Sequence, residues 1–118
     1  CTAQSLLAII SSFYAIYHGS SGLNKIAKRI VILRRYFESC LNELGFIIPS
    51  GERFDSVDIY CEESEKIHNE ALKNGFNLRI LPLGATLKES TGFGVSLDEL
   101  TDEKEIFNLV TCIANALE

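Results

Sequence analysis

The chain has 118 residues, of which 47% are hydrophobic and 23% charged, with a net charge of −5 and a pI of about 5.0. This length and composition are those of one ordinary globular domain. The acidic balance excludes a basic nucleic-acid-binding domain. The one basic cluster, KIAKRIVILRRYF, lies on a helix with an apolar opposite face and is expected to be a solvated helix face.

Four cysteines lie far apart in the sequence: Cys1, Cys40, Cys61 and Cys112. Because they form no CxxC pair and the chain has only two histidines, their spacing fits no common zinc site. Reduced and mostly buried thiols are expected, with a disulfide pair as the open alternative. The apolar start lacks the basic region of a secretory signal and is too short for a membrane span, which needs about 20 apolar residues.

The first predicted helix, Cys1 to His18, contains no Asp, Glu, Lys or Arg. Its main apolar stripe follows the i, i+3, i+4 rule, and Ile9 and Ile16 flank that stripe. A helix that is apolar on several sides is normally buried on several sides, and each buried aliphatic side chain contributes roughly 1.5–3 kcal/mol. The pattern therefore predicts a missing partner surface. The stripe comprises Ala3, Leu6, Leu7, Ile10, Phe13, Tyr14 and Tyr17.

A loop, HGSSG, is expected to connect this helix to a second one, Leu23 to Leu44, which ends at Gly45. Four strands are predicted in FIIPS, SVDIYC, FNLRIL and GFGVSL, with helices in ESEKIHNEALKNG and TDEKEIFNLVTCIANALE. The order ααββαββα predicts an α+β fold, with a small and largely antiparallel sheet packed against helices.

Three residues invite a catalytic interpretation. Cys1 could be an N-terminal nucleophile, but the start of a helix explains it better. His18 ends the first helix, where it suits the helix dipole as a cap, and an active-site contact at a domain boundary is the alternative. His68 is expected to be solvated on the exposed side of its helix.

Two further patterns have plain structural explanations. The acidic run around Asp98, Glu99, Asp102 and Glu103 lacks the alternating ligands of a calcium loop and fits a turn that leads into a helix. The glycines of GFG precede a strand, so they indicate close backbone approach or a bulge and not a phosphate-binding loop.

Arg79 is the one candidate binding residue. It is predicted to lie on a strand face opposite Phe76, Leu78 and Ile80. An arginine there could hold a carboxylate through its planar fork. The alternatives are a plain exposed arginine, or a cross-strand ion pair with Asp55 or Asp58. No catalytic, cofactor-binding or metal-binding residue is assigned.

Six strings occur in order along the chain: CTAQSLLA, YAIYHG, GLNKIAKRI, the FDS of Phe54 to Ser56, the NLR of Asn77 to Arg79, and GVSLDELT. Together they resemble the end of the first half of the glycine cleavage system P-protein family, the decarboxylating glycine dehydrogenases. The resemblance covers Cys1 to Glu118. Two positions depart from the family pattern: Ser20 stands where proline is usual, and Leu100 where threonine is usual.

The resemblance implies a pyridoxal-phosphate enzyme of the aspartate-aminotransferase fold type, an oxidoreductase of glycine catabolism. In this family glycine loses its carboxylate as CO2, the aminomethyl group passes to the lipoyl arm of H-protein, and the cofactor serves as electron sink. The family's Schiff-base lysine lies in the second half or second subunit type, within a His-Lys-Thr context. None of the lysines here has that context: Lys25, Lys28, Lys66, Lys73, Lys88 and Lys104.

The resemblance thus implies that residues 1–118 form a single small domain, the C-terminal domain of the non-lysine half. The absence of methionine fits a chain that was processed or cut from a longer one. The fragment is expected to be inactive alone and to bind no cofactor, nucleic acid or membrane. It would lie against the rest of the P-protein, in the bacterial cytoplasm or the mitochondrial matrix.

The same resemblance makes Arg79 the candidate ligand for the substrate carboxylate. It also explains the first helix, whose second apolar face would cover the neighbouring domain. The isolated chain is expected to self-associate through that face. The alternative to the whole interpretation is a free-standing ferredoxin-like regulatory or interaction module.

Overall fold

The structure is a computed structural model that describes residues 3–82 and 84–118. It has an α+β fold, which confirms the predicted class. Within the described residues, three helices and three strands follow one another, with one short 3-10 helix before the last strand. The elements are α1 (Ala3–Glu43), β1 (Ser56–Tyr60), α2 (Ser64–Lys73), β2 (Arg79–Leu81), the 3-10 helix Leu87–Glu89, β3 (Gly92–Ser96) and α3 (Glu103–Leu117).

The two predicted N-terminal helices form one 41-residue element that bends at Gly19. Gly19 has φ 60° and ψ −179°, a conformation that is essentially restricted to glycine. The prediction that the first helix stops here is therefore confirmed, but the predicted HGSSG loop is wrong. Helical structure resumes directly at Ser20, whose carbonyl accepts a 3.0 Å hydrogen bond from Asn24 Nδ2. We call residues 3–18 the arm.

Glycines end α1 and α2 in the same way, as predicted. Gly45 has φ 91° and donates to the carbonyl of Asn42, while Phe46 N donates to Leu41 O at 3.1 Å. Gly75, with φ 83°, follows α2 in the same arrangement. A glycine at this position satisfies the last helical carbonyls while it reverses the chain direction.

The sheet has three antiparallel strands in the order β1-β3-β2. Three of the four predicted strands are present, but the prediction of a strand in FIIPS is wrong. This segment has no strand partner, because Phe46 packs edge-on against Phe93 at 6.0 Å between ring centroids while Ile47 is 88% exposed. The predicted strand FNLRIL pairs with β3 only over Arg79–Leu81.

The hydrophobic core lies between one face of the sheet and the three helices. Val57 and Ile59 of β1 alternate with polar neighbours and are buried, as predicted, beside Phe93 and Val95 of β3. The second half of α1 contributes Ile30, Leu33, Phe37 and Leu41, and α3 contributes Ile106, Leu109 and Ile113. The opposite face of the sheet, with Asp58 and Arg79, lies outside this core.

An ion-pair cluster of Arg34, Glu38 and Arg53 joins the segment between α1 and β1 to α1. Arg34 is only 7% exposed, donates to Glu38 Oε2 at 2.5 Å, and donates through Nε to the carbonyl of Phe54 at 3.1 Å. The other carboxylate oxygen of Glu38 accepts from Arg53 at 2.8 Å, and Arg53 also donates to the carbonyl of Pro49. One carboxylate thereby bridges a helix and the loop that follows it.

Candidate functional site

Arg79 lies on the face of the sheet away from the core and forms an ion pair with Asp58. The two residues belong to the outer strands, and both pair in register with Gly94 of the central strand. Neighbouring strands lie about 4.8 Å apart, so the Arg79 side chain extends across the whole of β3 to reach Asp58. The side chains are 36% and 45% exposed, which leaves the guanidinium open to solvent.

Gly94 makes this arrangement possible. A Cβ at Gly94 would lie 2.6 Å from Arg79 Nη2 and 2.7 Å from Asp58 Oδ1, so any larger residue would displace the ion pair. At Gly92 a Cβ would overlap the carbonyl oxygen of Ile59 and lie 3.0 Å from the Cα of Tyr60. Both glycines are sites of close approach, as the sequence predicted for GFG.

A half-open cavity of about 280 Å³ lies where the chain before β2 diverges from β3. Apolar side chains of the core line it, together with Arg79, Ser96, Thr101 and Glu105. The buried Thr101 hydroxyl is already bonded to Asp98. The cavity therefore adjoins Arg79, and none of its other lining residues is positively charged.

His68 is buried, with 3% exposure, so the prediction of a solvated histidine is wrong. Its Nε2 lies 3.3 Å from the carbonyl oxygen of Gly92, to which Ser64 Oγ also donates at 2.9 Å. Ser64 and His68 are four residues apart on α2 and lie on the face that meets β3. Their i, i+4, i+7 spacing with the buried Ala71 was the sequence signal for this contact.

His18 lies directly before the Gly19 bend and is half-buried. Its ring packs against Tyr14 and Tyr17, with centroids 4.3 and 5.0 Å apart. These are contacts with its own helix, and the role of His18 as a helix cap stays a prediction. The candidate nucleophile Cys1 lies outside the described residues.

The acidic run is a turn that leads into a helix, as predicted. Asp98 Oδ1 accepts from the backbone N–H groups of Leu100 and Thr101 at 2.9 and 3.1 Å, and these hydrogen bonds keep the pKa of Asp98 below its usual value. Asp102 caps α3 by accepting from Glu105 N at 2.7 Å. Within residues 3–82 and 84–118, no cluster of His, Cys, Asp and Glu could hold a metal ion.

The three described cysteines carry free thiols: Cys40 and Cys61 are half-buried, and Cys112 is buried. Burial, with a smaller contribution from the charge of Glu63, raises the pKa of Cys61 to about 11. Burial also raises the pKa of Cys112. Both thiols therefore stay protonated near neutral pH and are poor nucleophiles.

The arm is exposed on every described side. Ile9 and Ile16 are 51% and 76% exposed, as expected for residues that lack a partner, but the main stripe that was expected to pack inward is exposed as well. The Gly19 bend carries the arm past the edge of the core, so neither face reaches it. The large exposed side chains are Leu6, Leu7, Ile9, Ile10, Phe13, Tyr14, Ile16 and Tyr17.

Two serine hydroxyls of the arm are directed back into its own helix, while the Tyr14 hydroxyl donates to Glu99 Oε1 at 3.5 Å. Ser11 and Ser12 donate their hydroxyl hydrogens to the carbonyls of Leu7 and Ala8, each at 3.0 Å. These bonds remove most of the cost of taking the two hydroxyls out of water. The arm is therefore suited to burial against an apolar surface in spite of its serines.

The described residues do not fit a pyridoxal-phosphate site. All six lysines are exposed, and none lines the cavity beside Arg79. A Schiff-base lysine lies in an enclosed site, whereas every lysine of this chain is exposed. In addition, none of the helices described here combines the length and hydropathy that a bilayer crossing requires.

Comparison with solved structures supports the fold. The chain superposes on a crystal structure of the glycine decarboxylase (P-protein) of the glycine cleavage system in inhibitor-bound form, with a TM-score of 0.73 and 17% identity, over 92% of this chain and 25% of that one. A NifS-like protein superposes with a TM-score of 0.66 and 18% identity, over 82% of this chain and 29% of that one.

Sequence comparison identifies relatives over nearly the whole chain. The glycine dehydrogenase (decarboxylating) of Prochlorococcus marinus is 50% identical over 98% of this chain, and that of Parasynechococcus marenigrum is 51% identical over 98%. A protein of Schizosaccharomyces pombe named as a mitochondrial glycine dehydrogenase is 40% identical over 90% of this chain. The chain spans only 12% of the length of the two cyanobacterial relatives.

A family model described as the glycine cleavage system P-protein matches residues 1–113. This match covers nearly all of the chain, and it agrees with the 50% identity to the Prochlorococcus protein and with the superposition on a P-protein structure. The chain therefore belongs to the glycine cleavage system P-protein family.

Proposed function

We propose that residues 1–118 form one small domain of a decarboxylating glycine dehydrogenase, the C-terminal domain of its non-lysine half. The whole enzyme would release CO2 from glycine and pass the aminomethyl group to lipoyl H-protein. The observation that carries this proposal is the family match over nearly the full chain, together with an apolar arm that the chain itself does not cover. The pyridoxal phosphate would be held by residues outside this chain.

In this proposal the domain has two tasks. The arm docks against the rest of the P-protein, which buries its apolar side chains and fixes the position of the sheet. The exposed face of the sheet then presents Arg79 to the substrate carboxylate, for which the planar guanidinium is well shaped. The enzyme would act in the cytoplasm of bacteria or in the mitochondrial matrix. No observation favours the ferredoxin-like module.

The test is a chimera in which residues 1–118 replace the matching segment of the Prochlorococcus marinus relative. Because the two segments are 50% identical, we expect the chimera to release CO2 from glycine at a rate within about tenfold of the parent. The isolated chain should show neither turnover nor a pyridoxal absorption band. Covalent cofactor binding with turnover by the isolated chain would refute the assignment to the non-lysine half.

Replacing Arg79 with lysine in that chimera is expected to raise the KM for glycine roughly tenfold, because lysine cannot bind a carboxylate through two parallel hydrogen bonds. The kcat should not fall, since the carboxylate loses its charge as CO2 forms and the lost contact stabilises the ground state at least as much as the transition state. Steady-state kinetics would measure both constants. Arg35→Lys, on the exposed side of α1, is the matched control. An unchanged KM in Arg79→Lys would remove Arg79 from the substrate site.

The arm predicts association of the isolated chain. At about 0.5 M NaCl, where charge interactions are screened, light scattering should show oligomers that the double substitution Ile9→Gln and Ile16→Gln reduces strongly. Ala8→Gln with Ala15→Gln keeps the same spacing and changes small side chains about 100° further round the helix, so it should have a smaller effect. A strictly monomeric wild-type chain under these conditions would contradict the prediction.

A further inference from the structure

The Asp58 carboxylate already contacts the part of Arg79 that a ligand carboxylate would use. An arginine binds a carboxylate through two parallel hydrogen bonds, either from Nε with Nη2 or from Nη1 with Nη2. Nη2 belongs to both forks, and it is the atom that donates to Asp58 Oδ1. An incoming carboxylate therefore meets the negative charge of Asp58 beside either fork.

The sheet itself holds these two side chains together. Asp58 and Arg79 lie on the outer strands, and both pair in register with Gly94. A Cβ at Gly94 would lie 2.6 Å from Arg79 Nη2 and 2.7 Å from both Arg79 Nε and Asp58 Oδ1, so the pair lies directly over this glycine. Across residues 3–82 and 84–118, neither charge has another ion-pair partner. The competing carboxylate is thus a built-in feature of the sheet.

The surroundings of Arg79 offer an anion little further attraction. The cavity of about 280 Å³ that adjoins Arg79 has Glu105 in its lining, and Arg79 is the one basic residue among its described lining residues. Arg79, Asp58 and Glu105 together carry one positive and two negative charges. The charge of Asp58 therefore decides whether the region is net negative or balanced.

The ion pair is weak enough for a ligand to displace it. The side chains of Arg79 and Asp58 are 36% and 45% exposed, so water screens their attraction. An exposed pair of this kind changes an equilibrium constant by up to roughly fivefold, and the repulsion between Asp58 and an incoming carboxylate adds to that factor. Asp58 should therefore lower the affinity of Arg79 for a carboxylate without abolishing it.

We propose that Asp58 is a resident competitor for the carboxylate ligands of Arg79, and that it thereby keeps the hold on the substrate carboxylate weak. The second part rests on the proposed function, in which the ligand of Arg79 is glycine. A decarboxylase gains nothing from a firm hold on this group, because the carboxylate loses its charge as CO2 forms. Tight binding would stabilise the ground state at least as much as the transition state.

The competition is tested on the isolated chain, with acetate as the carboxylate probe. The background is the Ile9→Gln, Ile16→Gln variant, which limits association through the arm, and the NMR signal of the Gly94 amide reports binding. Asp58→Asn should lower the Kd for acetate roughly three- to tenfold, because asparagine keeps an acceptor oxygen for Arg79 Nη2 but carries no charge. Adding Arg79→Gln should abolish this gain, since the two side chains act on one ligand.

Two further variants separate the position of the charge from its mere presence. Asp55→Asn removes the same charge from the residue directly before β1, and asparagine keeps the oxygen that accepts from Ser56 Oγ. It should change the acetate Kd by less than about twofold. Asp58→Glu keeps the charge and should bind acetate as weakly as the background. Circular dichroism would confirm that each variant is folded.

The chimera with the Prochlorococcus marinus relative tests the same substitution on the substrate. Asp58→Asn should lower the KM for glycine while kcat does not rise, which is opposite in sign to the KM change expected for Arg79→Lys. An ion pair that only orients Arg79 or stabilises the sheet predicts no fall in KM.

An acetate Kd in Asp58→Asn that equals or exceeds that of the background would overturn the competition. A lower acetate Kd together with a KM that neither Asp58→Asn nor Arg79→Lys changes would confirm the competition and overturn the role of Arg79 in the proposed function. The two failures are therefore distinguishable.

Discussion

Replacing Gly92 with alanine is expected to lower the free energy of unfolding by roughly 3 kcal/mol or more. The added methyl group would overlap the carbonyl oxygen of Ile59 and press against the Cα of Tyr60. Both obstacles are backbone atoms of the paired strand, so no rotamer change can relieve the clash. The carbonyl of Gly92 also accepts from Ser64, so a shift of β3 would strain the contact with α2.

Urea unfolding followed by circular dichroism would measure this change. Ser96→Ala, at the other end of the same strand, is the control. It removes only an exposed hydrogen bond to Ser56 of 2.8 Å, and its effect should be within about 1 kcal/mol. If Gly92→Ala were as stable as the control, the close approach of β1 and β3 described here would be wrong.

The second large effect is expected for Glu38→Gln. This change keeps the size of the side chain but removes the charge that neutralises both Arg34 and Arg53. Arg34 is 7% exposed and would then be a buried cation with no anionic partner, because the glutamine amide offers one neutral acceptor oxygen in place of two charged ones. Breaking a buried ion pair from one side typically costs several kcal/mol. We expect a loss of about 2–4 kcal/mol and a midpoint lower by on the order of 10 °C.

Glu70→Gln provides the matched comparison. Glu70 also pairs with a basic residue on its own helix, but the partner Lys73 has a side chain that is 71% exposed. Exposed pairs of this kind contribute little, because water and salt already screen the charges. Calorimetry should therefore show an almost unchanged midpoint for Glu70→Gln. Equal effects of the two substitutions would mean that the Arg34–Glu38–Arg53 cluster does not stabilise the connection between α1 and β1.

The sequence by itself predicted the elements whose signals are local. Gly45 and Gly75 were recognised as helix ends because a left-handed residue there is cheap only for glycine. β1 was recognised from the alternation of Val57 and Ile59 with polar neighbours. The six family strings then identified the P-protein family, which the comparisons confirm over residues 1–113.

Features that depend on a distant partner were decided only by the tertiary structure. FIIPS has the composition of a strand, but no neighbouring strand offers it a hydrogen-bonding edge, and Phe46 packs on Phe93 instead. His68 looks polar in its own helix, yet it is buried because α2 lies on the carbonyl of Gly92. The local sequence does not reveal which side of a helix or strand a distant element will cover.

The candidate site shows the same division. The sequence named Arg79, and it offered a carboxylate ligand or a cross-strand ion pair as alternatives. Only the strand order β1-β3-β2 brings Asp58 into line with Arg79, because two residues on non-adjacent strands meet only where a glycine leaves room between them. For the arm, the uncharged sequence already indicated an absent partner. The Gly19 bend decided that the whole arm lies away from the core, since the direction of a helix after a bend is a property of the folded chain.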